Sequence, residues 1–281
     1  MREMRTSVTA RDGVPLSVTV YEGSGKSAGN SPVRDVLLLH GWPNAARVWR
    51  PLAEALLLSP GCRLIAPDFR GFGDSGRPDS GEPDEGYRCA RFADDVEDVA
   101  AELSLARYVL VGHSMGGKIA QLVAARRPEA LVGLALVAPV PLVAAPVPEE
   151  KKAAQRAAFG DAQKTRALLS AMTAHPLREE TLALLVEDGL RASQAAWNGW
   201  LDPMREEDFT DEAGKIGVPT LVIGGQKDPL RSEDLLRRDI VDRIAHAEYA
   251  GVPHTGHLVH LEEPEALASL LVNFLDRLPA R

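Results

Sequence analysis

Residues 112–117 are Gly-His-Ser-Met-Gly-Gly, so that a serine, Ser114, has a glycine two positions away on each side. An apolar run, Tyr108–Val111, precedes this stretch, and an amphipathic run extends from Ser114 to Arg127. A serine between glycines where a strand meets a helix is typical of a nucleophile elbow, in which a strained backbone holds the hydroxyl out above the sheet edge. The stretch therefore predicts a strand, a sharp turn that exposes Ser114, and a helix.

Strand and helix patterns alternate over much of the chain. A turn at Asp12-Gly13 predicts a hairpin between its two flanking strands. The eight predicted strands are Ser7–Ala10, Leu16–Tyr21, Val36–Leu39, Arg63–Ala66, Tyr108–Val111, Gly133–Ala138, Pro219–Gly224 and Glu248–Ala250. Helix patterns separate most of the later strands, including one from about Ala46 to Leu58. We therefore expect an α/β fold, with a mostly parallel eight-stranded sheet covered by helices on both faces and ligands bound at the carboxyl ends of its strands.

One segment interrupts the alternation. From Pro139 to Ala213 there is no strand pattern, and helix-like stretches lie near 149–159, 161–172, 178–190 and 193–201. About 70 residues of helix are too many for a simple crossover between two strands. We expect residues 1–138 and 214–281 to form the core, and residues 139–213 to form a separate helical cap between strands 6 and 7.

Length, charge and composition limit the class of protein. A chain of 281 residues can form one large α/β domain with an insertion or two small domains. A net charge of -8 argues against a nucleic-acid partner and against an anionic membrane surface. No apolar stretch approaches the roughly 20 residues of a membrane span, and the N-terminal charges are not followed by the apolar core of a secretory signal.

The two cysteines, Cys62 and Cys89, favour reduced, packed thiols over a disulfide framework. Together with the lack of a secretory signal, this predicts a cytoplasmic protein. The sequence leaves the oligomeric state open, a homo-oligomer included.

The segment from Gly23 to Pro32 is rich in glycine and serine and predicts an exposed loop. It contains Gly25-Lys26-Ser27, part of the phosphate-binding loop motif. The motif requires a glycine five positions before Gly25, where this chain has Val20. We therefore do not expect a nucleotide site here.

A serine hydroxyl at neutral pH needs a base, usually a histidine that a carboxylate holds in one tautomer. In this type of sheet the acid follows a strand after the nucleophile, and the histidine follows the last strand. Asp228 follows the strand pattern at 220–223, and His257 lies in the loop after the last strand. The predicted catalytic residues are therefore Ser114, Asp228 and His257.

Other residues compete for two of these roles. His254 and His260 flank the preferred base, and His113 lies beside the serine, although its side chain should project away from it into packing. Glu233 and Asp234 compete for the role of the acid, but they resemble first-turn helix acids, which the helix dipole favours.

Acyl transfer also needs donors for the developing oxyanion. One expected donor is the backbone N–H of Met115, which follows the nucleophile at a helix N-terminus. The second should come from the turn His40-Gly41-Trp42-Pro43, after an early strand. Because Pro43 has no N–H, we predict that the backbone of Trp42 supplies it.

With these residues in place, the chain resembles the capped type of α/β-hydrolase over nearly its full length. The resemblance rests on His40-Gly41-Trp42-Pro43, on Asp-Phe-Arg-Gly-Phe-Gly-Asp-Ser at 68–75, on the elbow, and on Asp228 and His257. It implies that Asp68, Arg70 and Ser75 form a structural turn and take no part in catalysis.

The first two motifs are similar to those of epoxide hydrolases and dehalogenases, which carry an aspartate at the elbow. Ser114 attacking an alkyl carbon would leave an ether that the site could not hydrolyse. Epoxide hydrolases also resemble one another in cap tyrosines, and residues 139–213 contain no tyrosine. The resemblance therefore favours acyl transfer to water.

We expect a serine hydrolase that cleaves a small or medium carboxylic ester, a small-molecule substrate, through an acyl-enzyme. Lactone opening, carbon–carbon bond hydrolysis, amide hydrolysis and peracid formation of the non-haem haloperoxidase kind would use the same three residues. Two further classes share the fold, namely a ligand receptor and a cofactor-free dioxygenase that uses the His–Asp pair as a base.

An apolar, adaptable pocket would suit esters of modest acyl or aryl groups. The candidates for its lining are Trp197, Trp200, Met172 and Leu169, each of which could instead pack inside the cap. No metal is implied, since the histidines do not sit at ligand spacing on one helix, and no cofactor is expected.

Overall fold

Eight strands form one sheet in the computed structural model, which describes residues 1–23, 34–57, 61–78 and 86–279. The strands are β1 Arg2–Thr9, β2 Pro15–Glu22, β3 Arg34–Leu39, β4 Cys62–Pro67, β5 Tyr108–His113, β6 Leu131–Val137, β7 Thr220–Gly225 and β8 Ala247–Val252. Their order across the sheet is β1-β2-β4-β3-β5-β6-β7-β8. β2 pairs antiparallel with β1 and β4, and the other pairs are parallel. The predicted fold class, a mostly parallel eight-stranded sheet with helices, is confirmed.

The central strands are mostly apolar because helices or neighbouring elements cover them. Every residue of β5 and β7 is buried, and so are the last four residues of β3. A strand buried on both faces needs a continuous apolar run, which is the pattern that located these strands in the sequence.

The first helices of the core are α1 Arg50–Leu56, α2 Cys89–Glu102 and α3 Met115–Ala125. The helical segment between β6 and β7 contains α4 Glu149–Arg156, α5 Ala162–Ser170, α6 Glu179–Arg191 and α7 Gln194–Gly199. The C-terminal group is α8 Glu233–Asp239, α9 Val259–Glu262 and α10 Pro264–Arg277. Short helical turns occupy Ala46–Trp49, Trp200–Met204, Thr210–Lys215 and Val241–Arg243.

The segment between β6 and β7, which we call the helical insertion (residues 139–213), contains no strand. Two of its helices, α5 and α7, begin at residues suited to capping: the Asp161 carboxylate accepts from the Gln163 and Lys164 amides, and the Ser193 hydroxyl accepts from Ala196 N–H. These contacts satisfy backbone donors that a helix start would otherwise leave free. The division into two domains at residues 139 and 213 stays a prediction.

The predicted hairpin is present, with Gly13 at φ 88° in its turn and register running from Arg2 opposite Glu22 to Thr9 opposite Pro15. β1 starts five residues earlier than predicted. Its first residues are mostly exposed at the sheet edge, where backbone pairing with β2 makes a strand without an apolar pattern.

Some sequence-based predictions fall outside the described residues. The predicted loop at 23–32, which contains Gly25-Lys26-Ser27, lies outside the described residues from residue 24 onward. Leu58, at the end of the first predicted helix, also lies outside them. Within the described ranges, no helix is both long and apolar enough to cross a bilayer. Cys62 and Cys89 are both free thiols.

Candidate active site

Ser114 lies on the turn between β5 and α3, at the carboxyl edge of the sheet. Its backbone has φ 52° and ψ -112°, a left-handed conformation that costs a non-glycine residue of order 1–3 kcal/mol. Four backbone hydrogen bonds hold it: Ser114 N–H donates to Val137 O at 3.1 Å, and Ser114 O accepts from Gly117 and Val140 N–H at 3.0 Å each and from Lys118 N–H at 3.2 Å. The surrounding strand and helix therefore fix the strained turn.

Close backbone approach explains the glycines on each side of the serine. A Cβ at Gly112 would overlap the carbonyl oxygen of Gly116, the second residue of α3. A Cβ at Gly116 would lie 2.5 Å from the carbonyl oxygens of Leu39 and His40 at the end of β3. Both positions exclude any side chain, as the elbow motif predicts.

A chain of hydrogen bonds joins the three predicted catalytic side chains. His257 Nε2 lies 2.9 Å from Ser114 Oγ, and His257 Nδ1 lies 2.7 Å from Asp228 Oδ2. A carboxylate only accepts, so Nδ1 carries the proton and Nε2 is free to accept the proton of the serine hydroxyl. The arrangement can activate Ser114 as a nucleophile.

Asp228 is held in place from its other side. Its Oδ1 accepts from Leu230 N–H at 2.7 Å and from Arg231 N–H at 3.1 Å. The side chain is fully buried. Because every oxygen has a donor, the carboxylate keeps one orientation toward the imidazole.

The loop that carries His257 is attached to the helical insertion. His257 N–H donates to Met172 O at 2.8 Å. The Glu262 carboxylate accepts from the amides of Gly256, Leu258 and Ala174 at 3.0, 3.1 and 2.8 Å. Glu262 thus joins the loop to the insertion, and no motif in the sequence indicated this role.

The competing histidines occupy other places. His254 is exposed. His260 is buried 4.8 Å from the Trp49 ring centroid, and burial lowers its pKa to about 3, so that it is neutral. His113 Nε2 lies 3.0 Å from His257 O and must donate to it, and burial with two neighbouring histidines lowers the pKa of His113 well below its usual value. The His113 ring lies in packing, as expected from the sequence.

The competing acids lie in the first turn of α8, as expected. Glu233 pairs with Arg237 at 2.7 Å, and Asp234 is exposed. Neither takes part in a hydrogen bond with His257 among the described residues.

The turn after β3 lies directly against the serine. A Cβ at Gly41 would lie 3.1 Å from Ser114 Cβ and 2.7 Å from His113 Nδ1. Trp42 follows it and lines the cavity at Ser114, while Met115 is the first residue of α3. Neither the Trp42 nor the Met115 amide donates to a group in the described part of the chain, so both remain available to a ligand.

Residues 68–75 support this turn through hydrogen bonds. His40 Nδ1 donates to Gly41 O at 3.0 Å, and its Nε2 accepts from Phe69 N–H at 3.0 Å. The Asp68 carboxylate accepts from Ala46 N–H at 2.6 Å and Asp74 N–H at 2.9 Å.

Two further residues of this segment have structural contacts. Arg70 is buried in ion pairs with Asp95 and Asp12, at 2.5 and 2.7 Å. The Ser75 hydroxyl donates to Asp68 O at 2.6 Å. With Asp68, these residues hold the turn and do not line the cavity at Ser114.

A cavity of about 210 Å³ opens beside Ser114 and His257. Its apolar lining comprises Trp42, Val140, Leu168, Met172 and Trp200, with Ala171, Pro229 and Leu230. Lys151, Gln155, Arg205 and Arg231 add a polar side, which the sequence did not predict. A second cavity, of about 250 Å³, lies beside α10 at the opposite ends of β7 and β8, far from Ser114.

Two of the four predicted lining residues do not reach the cavity. Trp197 is fully buried, with its indole N–H donating to Gln155 O at 3.0 Å and its ring packed 4.7 Å from that of Trp42. Leu169 is also fully buried, and its neighbour Leu168 lines the cavity instead. The helix phase turns both side chains away from the cavity and into packing. Met172 and Trp200 line the cavity.

Residues 36–264 match the family model described as the alpha/beta hydrolase fold. The chain is 30% identical over 257 residues to AB hydrolase superfamily protein YisY of Bacillus subtilis, covering 86% of this chain and 91% of that protein. It is 28% identical over 274 residues to non-heme chloroperoxidase CPO-A1 of Kitasatospora aureofaciens, covering 88% and 90%. Its fold is similar to that of an esterase from Exiguobacterium antarcticum, with a TM-score of 0.84, 24% identity, and coverage of 97% and 100%.

Proposed function

The chain belongs to the alpha/beta hydrolase family, and from that premise we propose that it is a serine hydrolase that cleaves a small carboxylic ester through an acyl-enzyme. The observation that carries the proposal is the continuous hydrogen-bond chain from Ser114 Oγ through His257 to Asp228, beside an open cavity.

The reaction follows from the positions of these groups. Ser114 Oγ attacks the ester carbonyl carbon while His257 Nε2 takes its proton, and Asp228 stabilises the resulting imidazolium. The oxyanion accepts from the Trp42 and Met115 amides. When the intermediate collapses, His257 returns the proton to the leaving alcohol, and the acyl group stays on Ser114.

Water completes the cycle by the same route. His257 takes a proton from water as the oxygen attacks the acyl carbon. Collapse of the second intermediate releases the carboxylic acid and returns a proton to Ser114 Oγ. Only the ester and water are consumed, and the three side chains return to their starting states.

The helical insertion would act as a cap over this chemistry. It contributes Met172, Trp200 and Leu168 to the cavity wall, opposite Ser114 and His257 of the core. A volume of about 210 Å³ lies below the roughly 300–1,000 Å³ of sites for drug-sized ligands, which supports a small substrate.

The test is covalent labelling with a fluorophosphonate, followed by intact mass and peptide mapping. We expect one adduct on Ser114, together with hydrolysis of p-nitrophenyl acetate and butyrate. Ser114→Ala should lose both, whereas Ser269→Ala, which changes an exposed serine on α10, should keep both. A folded native protein that takes up no label would refute the proposal.

A second candidate is peracid formation, which the similarity to a chloroperoxidase favours. Hydrogen peroxide would replace water in attacking the acyl-enzyme, giving a peracid and free Ser114. Peracid production from ethyl acetate and hydrogen peroxide, abolished in Ser114→Ala, would support it. Ester hydrolysis that proceeds without peracid at high peroxide would exclude it.

A further inference from the structure

Two arginines lie in the wall of the cavity and are almost completely buried. Arg205, which follows α7 and its helical turn, is 6% exposed, and Arg231, three residues after Asp228, is 8% exposed. Arg205 Nη1 reaches only Gln155 Oε1, at 3.4 Å, and Arg231 Nη1 donates to Leu230 O at 2.8 Å. The Nε of each is buried without a hydrogen-bond partner among the described residues.

No carboxylate in the described part of the chain pairs with either guanidinium within 4.0 Å. Asp228 is near enough to act on Arg231, but its oxygens already accept from His257 and two backbone amides. Glu206, next to Arg205, pairs with Lys152, and Glu207 accepts from Cys89 N–H at 2.9 Å. The nearby acids therefore have other partners.

Two like charges in a buried wall are unfavourable without a counter-charge. Burial lowers the pKa of both arginines, and the positive charge of Arg231 helps to lower that of Arg205 to about 10. A guanidinium is not deprotonated in proteins at neutral pH, so both side chains carry a positive charge. Several other cations of the helical insertion have acidic partners, as in the pair of Arg166 with Glu179 at 2.7 Å.

We propose that Arg205 and Arg231 bind a carboxylate of the substrate, so that the ester or lactone cleaved at Ser114 carries a free carboxylate group. Their guanidinium groups offer the forked N–H donors that match a carboxylate. Gln155, on α4, supplies a further polar contact at this end of the cavity. The inference rests on the proposed function and names the substrate class.

The first experiment compares ester pairs that differ only in charge, with hydrolysis followed in a pH-stat. Monoethyl glutarate is matched with ethyl 4-carbamoylbutanoate, and 4-acetoxybutanoate with its amide, so that both sides of the ester bond are sampled. In at least one pair we expect kcat/KM to be about 10-fold or more higher for the carboxylate.

Variants then connect the preference to the two side chains. Arg205→Gln and Arg231→Gln should each bring the ratio of kcat/KM values toward one, and Arg205→Lys should restore part of it. Arg166→Gln removes an exposed, paired arginine of the same helical insertion and should leave the ratio unchanged.

Binding gives a readout that does not need catalysis. Glutarate should raise the melting temperature of Ser114→Ala more than glutaramide does, and Arg205→Gln in that background should abolish the difference. Suppose that a fluorophosphonate labels Ser114 but kcat/KM is the same for the carboxylate and the amide in both ester pairs. That result would overturn the carboxylate proposal and leave the proposed function intact. An unlabelled protein would refute the proposed function, and glutarate binding would then still decide whether the arginines hold a carboxylate.

Discussion

The backbone carbonyl oxygen of His257 accepts a hydrogen bond, 3.0 Å long, from Nε2 of His113. The residue before the proposed nucleophile thus holds the main chain of the proposed base. The two ring centroids lie 5.1 Å apart. Position 113 is therefore a positioning residue for the imidazole, although it does not contact Ser114 Oγ.

Replacing this donor tests the link. His113→Phe should leave His257 O buried and unsatisfied, at a cost of about 1–3 kcal/mol in the free energy of unfolding. We expect kcat for p-nitrophenyl butyrate to fall about 10-fold with little change in KM. His113→Gln, whose amide can donate, should recover part of kcat. Equal losses in both variants would show that the hydrogen bond does not position the base.

Asp228→Asn separates the charge of the acid from its structural role. The amide oxygen can still accept from the Leu230 and Arg231 amides, so the fold of the loop should persist. By contrast, kcat/KM should fall about 10³–10⁴-fold, because the amide no longer stabilises the correct imidazole tautomer and its cation. Asp234→Asn, in the exposed first turn of α8, is the control. A variant within threefold of the native rate would exclude Asp228 as the acid.

Gly41→Ala tests the contact between the turn after β3 and the serine. The added Cβ would lie 2.7 Å from His113 Nδ1 and 3.1 Å from Ser114 Cβ, both too close. We expect at least a 10-fold loss of kcat/KM and a lower melting temperature. A Cβ at Gly214 has nothing within 4 Å, so Gly214→Ala should change neither, and similar effects of the two substitutions would contradict the proposed contact.

Asp188 makes stability depend on pH. It is fully buried on α6 and pairs with Arg47 at 2.5 Å, yet burial raises its pKa from 3.8 to about 7. Because the folded chain binds the proton more tightly, the stabilising contribution is complete below about pH 4 and is lost as pH rises through about 7. The melting temperature of the native protein should therefore fall between pH 5 and 8 relative to that of Asp188→Asn.

Glu187 provides the control for this measurement. It also pairs with Arg47, at 3.2 Å, but its side chain is 57% exposed. Glu187→Gln should follow the native pH dependence. If Asp188→Asn does so as well, burial of Asp188 does not control the dependence.

The sequence predicted the parts of the molecule that local patterns determine. The apolar runs of β3, β5 and β7 need no tertiary information, and a serine between Gly112 and Gly116 requires the close approaches that the structure contains. The chain order Ser114, Asp228, His257 follows from the alternation of strands and helices. These side chains meet because parallel strands end at one edge of the sheet.

The cavity wall could not be predicted in the same way. Leu168 and Leu169 are both apolar, and only the packing of α5 decides which one faces the cavity. Packing likewise decides that Trp197 is buried away from the cavity whereas Trp200 lines it. Arginines are usually exposed, so that the burial of Arg205 and Arg231 depends on how the helical insertion meets the core.

The bond from His257 N–H to Met172 O has a consequence for how the enzyme could be altered. A substitution that loosens the insertion near Met172 to admit bulkier molecules should also release the main chain of the proposed base. At this point of the fold, a change that widens the cavity therefore also disturbs the alignment of the His257 imidazole. Engineering for larger substrates should begin on the Trp200 side of the wall, which has no such attachment to the His257 backbone among the described contacts.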